Sequence, residues 1–587
     1  MTLPSGMSFT SIYLYALIIQ PKSPIDGGMI RGAGAGGAIV IRKAKTYAEV
    51  CDSFQWSIPE RYNIAWDVCD RHADCDTPAL IHHQPDGETR VYTFLQMKRY
   101  ANRLANVLVA HGLNPGERVM LLLPQHPVTA FANVACWKAG LISIPTSVLF
   151  GIDAIEYRLN DSGAKCVITD LANLPKIIEV RQRTAELQFV FVIDGVGEGV
   201  QSLWDLMDRA SDAFHTLALT PDTPAFLNYT SGTTGWPKGA LQGHRSMLGH
   251  MPGVEMLFDF FPQEGDLMWS PADWSWLAGL MDILMPAWFH GKPVLTFHAT
   301  SFDPERALSM MGQHRVRNVL LTPTVLKLIR QVPDPRGQFG INLRSVISGS
   351  EAVGKDLLDE MNQSLGVLIN EGFGQTECNM VLGNCASLKH TKIGSLGSVI
   401  PGHTANIVDD QGIALPIGEL GNLAFRRPDP VMMLEYWRNP QATQEKFAAE
   451  WLLTGDLATC DEDGFYWFVG RSDDVIKSSG YRIGPVEIED AILRHPKVAR
   501  SAVIGIPDRD RAEIIKAFIV LRGGHPGTDA LKDEIRDSVR DRLAKHEYPR
   551  EIEFVESLPM TTTGKVIRRE LRDREREKRL KAAGRPS

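Results

Sequence analysis

Tyr229-Thr230-Ser231-Gly232-Thr233-Thr234-Gly235-Trp236-Pro237-Lys238-Gly239 (YTSGTTGWPKG) follows a short apolar run, Pro224 to Tyr229 (PAFLNY), that reads as a buried strand. Glycines placed after a strand let main-chain N–H groups approach an anion with no Cβ in the way. Gly232 and Gly235 open the backbone in this manner, and Thr230, Ser231, Thr233 and Thr234 add hydroxyl donors. Lys238 supplies a cation able to follow the outer phosphates of a nucleoside triphosphate, and Pro237 stiffens the exit of the loop. A Walker A loop is a different object: it needs Gly-Lys-Ser/Thr opening directly into a helix, whereas here proline precedes the lysine and glycine follows it. On these residues alone a plain Ser/Thr/Gly turn without a ligand stays open as the alternative.

A chain of 587 residues exceeds what one hydrophobic core supports, so at least two domains are expected. Hydrophobic residues at 44% and charged residues at 22% are ordinary for a globular protein and exclude a disordered or fibrous chain. A net charge of −8 gives no overall field to draw nucleic acid or anionic lipid, so an anionic ligand has to be held by local groups. The eight cysteines (Cys51, Cys69, Cys75, Cys136, Cys166, Cys378, Cys385 and Cys460) form no CxxC pair or zinc-like spacing. They read as reduced thiols of a cytoplasmic protein. No uncharged apolar run reaches the roughly 18 residues of a membrane span. Phe9 to Gln20 is too short and lacks a basic segment before it, which makes a poor signal peptide. Residues 1–45 are rich in Gly, Ala and Ser, and the run Gly32 to Gly37 (GAGAGG) imitates a dinucleotide fingerprint. No strand feeds that run and no amphipathic helix follows it, so a flexible leader is expected, with Met29 as an alternative start.

From 46 to 470 helical patterns alternate with short apolar strands such as Arg118 to Leu123, Ala164 to Thr169 and Phe189 to Asp194. Such alternation predicts α/β layers built on largely parallel sheets. A small α+β domain is expected over 471–575, with a tail at 576–587. Its elements are a helix from Pro485 stopped by Pro496, strands at VARSAVIGI and IIKAFIVL, a charged helix from Thr528 to His546, and EIEFVE. The polar Gly470 to Asp474 (GRSDD) marks the linker. The basic Lys565 to Lys581 segment carries Glu570/Arg574, Glu575/Arg579 and Glu577/Lys581 at i,i+4 spacing, and reads as a solvated helix rather than a nucleic-acid tail.

Five further constellations stand downstream of the opening loop: Ser348 to Ala352 (SGSEA), Glu371 to Glu377 (EGFGQTE), Thr454-Gly455-Asp456, Lys477 to Pro485 (KSSGYRIGP) and Pro559 to Arg568 (PMTTTGKVIR). Any one of them alone reads as a loop or a helix cap. In this order and spacing, over roughly residues 60 to 575, the chain resembles the acyl-adenylate-forming superfamily, and within it most of all the medium-chain acyl-CoA synthetases. The resemblance implies a large N-terminal domain of layered sheets and helices and a small mobile C-terminal domain. It implies that residues 230–235 and Lys238 hold polyphosphate; that Ser350, Glu351 and Ala352 border adenine; and that Glu371, Gly372, Phe373, Gly374 and Gln375 form the adenine platform segment. Thr376 is then expected at the α-phosphate and Glu377 at Mg²⁺, for which a carboxylate oxygen is the fitting ligand. Asp456 can accept hydrogen bonds from both ribose hydroxyls, and Arg471 adds a second contact. Asp473 falls at the family's hinge. Gly480, Tyr481 and Arg482 belong to the loop lining the thiol tunnel, and Lys565 to the adenylation step. Met560 and Thr563 depart from the Lys and Ser common in this last motif, which puts regulatory lysine acylation in doubt and leaves the catalytic role untouched.

The activity implied is ATP-dependent conversion of a carboxylic acid to acyl-AMP with release of pyrophosphate, followed by transfer to coenzyme A. ATP, Mg²⁺ and coenzyme A are the expected cofactors. Gly374 stands where acetate-preferring relatives carry tryptophan, and Ser270 to Leu280 (SPADWSWLAGL) resembles the acyl-channel segment, with Trp274, Trp276 and Gly279 as walls and floor or equally as ordinary core. A medium-chain, branched or aromatic acid is therefore expected. A free-standing ligase that loads an acyl carrier protein remains a second reading, and a non-catalytic nucleotide-binding homologue a third, against which intact Lys238, Glu377, Asp456 and Lys565 speak. No nucleic-acid partner is expected, and self-association into a homo-oligomer is left open.

Overall fold

Strands too short to stand alone are paired here into three sheets of a large domain and a fourth sheet of a small one. The computed structural model describes residues 40–582 except 74–75, 85, 198, 231–236, 298–300, 351–352, 473, 475, 479–480, 509–511, 541, 544–546 and 562–564. An eight-stranded sheet runs in the order Glu435–Tyr436, Lys238–Gly243, Pro224–Thr230, Ile142–Thr146, Arg118–Leu122, Cys166–Thr169, Phe189–Val192, Gln201–Ser202. It is parallel from Pro224–Thr230 outward and antiparallel at the other edge. A nine-stranded sheet reaches from Ser398–Val399 to Thr89–Thr93, parallel through its middle and antiparallel at both ends. Helices pack between them. Pro127–Lys138 and Ser246–Leu257 are buried along their whole length, as their all-round apolar sequences require. Phe94–Ala110 instead is amphipathic and begins on a capping box, Thr93 and Gln96 each satisfying the other's backbone N–H.

The expectation of largely parallel sheets fails from residue 405 to 471. There Ala405–Val408, Gly421–Arg426, Trp451–Cys460, Phe447–Ala448 and Tyr466–Arg471 form a wholly antiparallel five-stranded sheet. Short Asp/Gly turns, Asp409 to Gly412 and Asp461 to Gly464, reverse or interrupt the chain, and the longer connection from Arg426 to Phe447 carries only the six-residue helix Pro440–Glu445, so the paired strands run in opposite directions.

After Arg471 the chain enters the small domain, whose sheet contains Ile476–Ser478, Tyr481–Ile483, Ala512–Leu521, Val498–Asp508 and Glu551–Phe554, flanked by the helices Pro485–Leu493, Asp529–Arg540 and Arg568–Ala582. Its two apolar clusters draw buried residues only from Ile476 to Leu571, and every other cluster draws only from Ile41 to Tyr466. An ion pair, Arg494 to Asp356 at 3.4 Å, links the two domains.

Two expectations need correction. Residues 40–45, read as leader, pack on the large domain: the Val40 and Ile41 N–H groups donate to the two carboxylate oxygens of the buried Glu255 at 2.9 and 2.7 Å, and Ile41 is itself buried. The leader's remaining residues, 1–39, lie outside the described residues. The basic terminal helix is not simply solvated, since Leu571 and Glu575 are buried and Glu575 accepts from Lys516 at 2.6 Å. The Glu570/Arg574 and Glu575/Arg579 pairs form at 3.3 and 3.1 Å. No helix among the described residues is long and apolar enough to cross a membrane.

Candidate active site

The opening motif leaves its strand and returns as a second strand. Pro224–Thr230 and Lys238–Gly243 make an antiparallel hairpin whose last pair is Thr230 with Lys238, so Lys238 stands at the mouth of the connecting loop. Ser231, Gly232, Thr233, Thr234 and Gly235 lie outside the described residues. On the hairpin's free edge Glu435–Tyr436 adds a short strand, placing the Tyr436 ring 5.3 Å from Lys238 Nζ. The Tyr436 hydroxyl donates to Glu377 Oε1. Gln242 Nε2 donates to the Thr376 carbonyl at 2.6 Å and the Met433 N–H to the Glu377 carbonyl at 2.9 Å. The hairpin and the Gln375-Thr376-Glu377 turn are thus one unit, although they are far apart in sequence.

The second and third motifs lie side by side. Ser345–Gly349 pairs in parallel with Ile369–Gln375, Gly349 opposite Gly372, and Ser350 then turns away with φ +74°. Glu351 and Ala352 lie outside the described residues. Phe373 stacks on Phe425 with ring centroids 6.3 Å apart, so one of its faces belongs to the core of the antiparallel sheet. Glu371 spends its carboxylate on the Gly394 N–H at 3.0 Å, and burial pushes its pKa up to about 7; its role in this fold is to hold the 394 loop. Gly374 differs from the expected open channel wall. A Cβ there would collide with Asn379 Oδ1 and the Met380 backbone nitrogen, so the space is already filled by the turn that follows.

Asp456 and Arg471 face each other across neighbouring strands, Arg471 Nη1 lying 3.0 Å from Asp456 Oδ1. Gly455 makes this possible: its φ is +80° and the Arg471 guanidinium packs over it, 3.0 Å from where a Cβ would be. The Thr454 carbonyl accepts from Gln375 Nε2 at 3.2 Å, Lys446 Nζ at 3.2 Å and Arg471 Nη1 at 3.4 Å, and Lys446 Nζ donates as well to Gln375 Oε1 at 2.8 Å. Burial pulls the Lys446 pKa down, opposed by the negative charges of Glu377 and Asp456. Burial pushes Asp456 up, against the pull of Arg471, Lys446 and Lys565. Lys565, at the exposed end of a turn closed by Thr561 N–H to the Lys565 carbonyl at 2.7 Å, therefore lies within electrostatic reach of Asp456 from the small domain.

Lys238, Gln375, Thr376, Glu377, Asp456, Arg471 and Lys565 are thus brought to one region. Gly480 and the hinge position Asp473 lie outside the described residues, as does Thr563; Tyr481 and Arg482 are backbone of the strand Tyr481–Ile483. Tyr436 and Lys446, which tie the region together, were not expected. They sit in LEYWRNPQATQEKF, a polar stretch with no motif spacing to single them out. For a divalent cation the donor set is lean: one Glu377 oxygen is taken by Tyr436, and no group of three His, Cys, Asp or Glu among the described residues could hold a metal. That fits Mg²⁺, which keeps several waters and takes phosphate oxygens alongside one or two carboxylates, and does not fit an all-protein cage.

Along the segment resembling an acyl channel, Trp274 is fully buried, Trp276 meets Phe150 with ring centroids 6.0 Å apart, and Gly279 lies against the carbonyls of Ala272 and Asp273. Trp274 and Gly279 are therefore packed core; Trp276 is the partly exposed member.

The sequence signature of the AMP-binding enzyme family spans residues 68–437, and that of the AMP-binding enzyme C-terminal domain spans 487–565. The mitochondrial acyl-coenzyme A synthetase ACSM3 of Mus musculus is 34% identical over 545 residues, covering 90% of this chain and 93% of its own. The crystal structure of the anthranilate CoA ligase AuaEII in complex with anthranoyl-AMP superposes with a TM-score of 0.81 at 31% identity, covering 90% of this chain and 99% of that one. ATP-bound MatB from Rhodopseudomonas palustris gives a TM-score of 0.76 at 28% identity, covering 87% and 98%. With that signature over more than half of its length and a relative 34% identical across 90% of it, the chain belongs to the AMP-binding enzyme family.

Proposed function

We propose that the protein is an AMP-forming acid–thiol ligase that joins a carboxylic acid to coenzyme A at the expense of ATP. The observation that carries this reading is the convergence of Lys238 with Glu377 through Tyr436 and of the Gln375 turn with the Thr454-Gly455-Asp456 strand through Lys446, with Lys565 in electrostatic reach of Asp456. In the first half-reaction a carboxylate oxygen attacks the α-phosphorus and pyrophosphate leaves. In the second a thiolate attacks the acyl carbonyl, the C–S bond forms, the C–O bond to AMP breaks, and the thiol proton passes to solvent. Both steps bring anions together, so the residues needed are cations and donors that position and neutralise rather than form covalent bonds. Lys238 follows the outer phosphates, Thr376 borders the α-phosphate, Asp456 accepts the ribose hydroxyls, and Lys565 neutralises charge between the acid and the α-phosphate. Glu377 would hold Mg²⁺ with the oxygen that Tyr436 leaves free, and the bound ion would supply charge neutralisation on the polyphosphate. The acid is a medium-chain, branched or aromatic one, and the anthranilate CoA ligase among the relatives supports the aromatic choice. All seven described cysteines are unpaired, which fits a reducing compartment, cytoplasm or mitochondrial matrix alike.

The test is exchange of labelled pyrophosphate into ATP with a panel of acids, followed by acyl transfer to coenzyme A and to a purified acyl carrier protein side by side. Acid-dependent exchange and transfer to coenzyme A are expected. Exchange with no acid would leave a nucleotide-binding homologue, and transfer only to the carrier would replace the acceptor.

A further inference from the structure

Activating an acid leaves one buried polar group without a task. Asp282 lies in Leu280–Leu284, a π-helical turn between Leu277–Gly279 and Met285–Phe289, and single turns of this kind collect at functional sites. Its neighbours Leu280, Met281, Ile283 and Leu284 belong to the main apolar core, and Asp282 is 4% exposed. Asp282 Oδ1 accepts from Asn379 Nδ2 at 2.8 Å, and the second carboxyl oxygen makes no hydrogen bond among the described residues. Asn379 Nδ2 also stands 3.3 Å from His250 Nε2, while His250 Nδ1 lies 2.6 Å from the Ser246 carbonyl; Nδ1 therefore carries the hydrogen and Nε2 accepts. With both amide hydrogens of Asn379 committed, its carbonyl oxygen is aimed toward Gly374. Burial pushes the Asp282 pKa up to about 8, so near neutral pH the carboxyl holds a proton it can donate.

The position is as telling as the chemistry. At its start this helical run is tied to the Pro224–Thr230 strand by Asn228 Nδ2 donating to the Ser275 carbonyl at 3.3 Å, and at Asp282 it is tied to Asn379, on the strand that follows Glu377. It bridges the first strand of the Lys238 hairpin and the strand that follows Glu377. On the acid-activating reading, an acid whose carboxylate meets the α-phosphate beside Thr376 leads its carbon chain away from the charged groups, and this helical run is the apolar element tied to both strands. A plain hydrocarbon chain would be served by aliphatic residues at 282 and 379; a carboxyl in the apolar core whose second oxygen accepts from no described residue yet keeps some accessible surface is open to a hydrogen bond with a ligand.

We propose that Asp282 and Asn379 form the polar end of the acyl site and select a carboxylic acid bearing an oxygen substituent, hydroxyl or oxo, on its chain or ring. This rests on the acid-activating reading above. The Asp282 proton is donated to the substituent oxygen, and Asn379, packed against Gly374, holds the carboxyl in place. Sites built to hydrogen-bond a substituent reject the analogue lacking it far more strongly than apolar pockets reject an extra methylene.

The test is pyrophosphate exchange by the wild-type protein with matched pairs, hexanoate against 6-hydroxyhexanoate and benzoate against the hydroxybenzoates. The oxygenated member of at least one pair should be favoured about tenfold or more in kcat/KM. Asp282→Leu and Asn379→Leu should reverse that preference, and Asp282→Asn, nearly the same shape, should keep the fold and weaken it. Exchange in which every unsubstituted acid is preferred overturns the proposal, as does an active Asp282→Asn or Asp282→Leu protein with the wild-type preference intact. Exchange with no acid of either kind overturns the acid-activating reading, and this proposal with it.

Discussion

Lys565 reaches the large domain electrostatically at Asp456, and its turn belongs to the small domain. In the proposed reaction a cation delivered in this way would serve the step in which charge builds at the α-phosphate and not the later transfer from acyl-AMP. Lys565→Ala should therefore lower acid-dependent pyrophosphate exchange by about a hundredfold or more, the scale of losing one charge-stabilising group, and leave thioester formation from supplied acyl-AMP within a few-fold. Equal loss of both half-reactions would contradict that division. Lys446 works differently, as a donor shared by Gln375 and the Thr454 carbonyl. Lys446→Met strips both of a partner, a loss of about 1–3 kcal/mol that should appear as a raised KM for ATP together with a lower melting temperature. Lys446→Arg should recover part of each, and a Met variant unchanged in both would remove Lys446 from the site. Asp282 gives a pH signature. Its carboxyl holds its proton up to about pH 8 when folded and gives it up near pH 4 when unfolded, so the folded state binds more protons between those values and loses stability as pH rises through them. Asp282→Asn has no proton to lose. Its melting temperature relative to wild type should climb from pH 4 to pH 8, and a constant difference would mean the carboxyl is ionised in the fold. At this scale Lys238, Glu377, Asp456 and Lys565 were legible because each sits in a motif with fixed neighbours. Tyr436 and Lys446 were not, because their partners are a carboxylate and a carbonyl brought near only by tertiary pairing.

Between residue and molecule stands the turn joining Ile369–Gln375 to Cys378–Gly383. It pairs the two strands with a register shift, holds Met380 at φ +54°, and leaves no room for a side chain at 374. Gly374→Trp is consequently not a clean way to narrow the acid range. Even Gly374→Ala should cost about 1–3 kcal/mol, the usual toll of overpacking, seen as reduced melting temperature and reduced exchange with every acid alike. A stable Ala variant with a shortened chain-length profile would restore the wall interpretation. Elements as such were largely legible: Pro485–Leu493 starts at its proline, and Glu551–Phe554 and Phe189–Val192 lie inside the apolar runs that predicted them. Strand direction was not, since nothing in the apolar runs over 405–471 distinguishes a hairpin neighbour from a crossover neighbour.

For the molecule as a whole, the separation of apolar clusters on either side of residues 471–476 means that the two domains are stabilised independently. The Arg494–Asp356 pair between them is half-exposed on one side and largely exposed on the other, the kind of contact worth about 0–1 kcal/mol. Calorimetry should accordingly resolve two unfolding transitions, with ATP raising the one that belongs to the large domain. One transition that responds as a unit would show that the domains are coupled by more than this structure's contacts. The two-domain plan itself was legible from length and the change of pattern near 470. The beginning of the packed body was misjudged because Val40 and Ile41 are held by main-chain donors, which leave no trace in side-chain composition.

That early strap has a practical side. The Glu255 carboxylate is sunk completely, with the His290 ring 3.0 Å away, and its two oxygens depend on amide hydrogens from residues that composition would tempt an experimenter to cut off. Shortened versions for crystals or assays should retain Val40 and Ile41, and an affinity handle is better hung ahead of them with slack than spliced in their place.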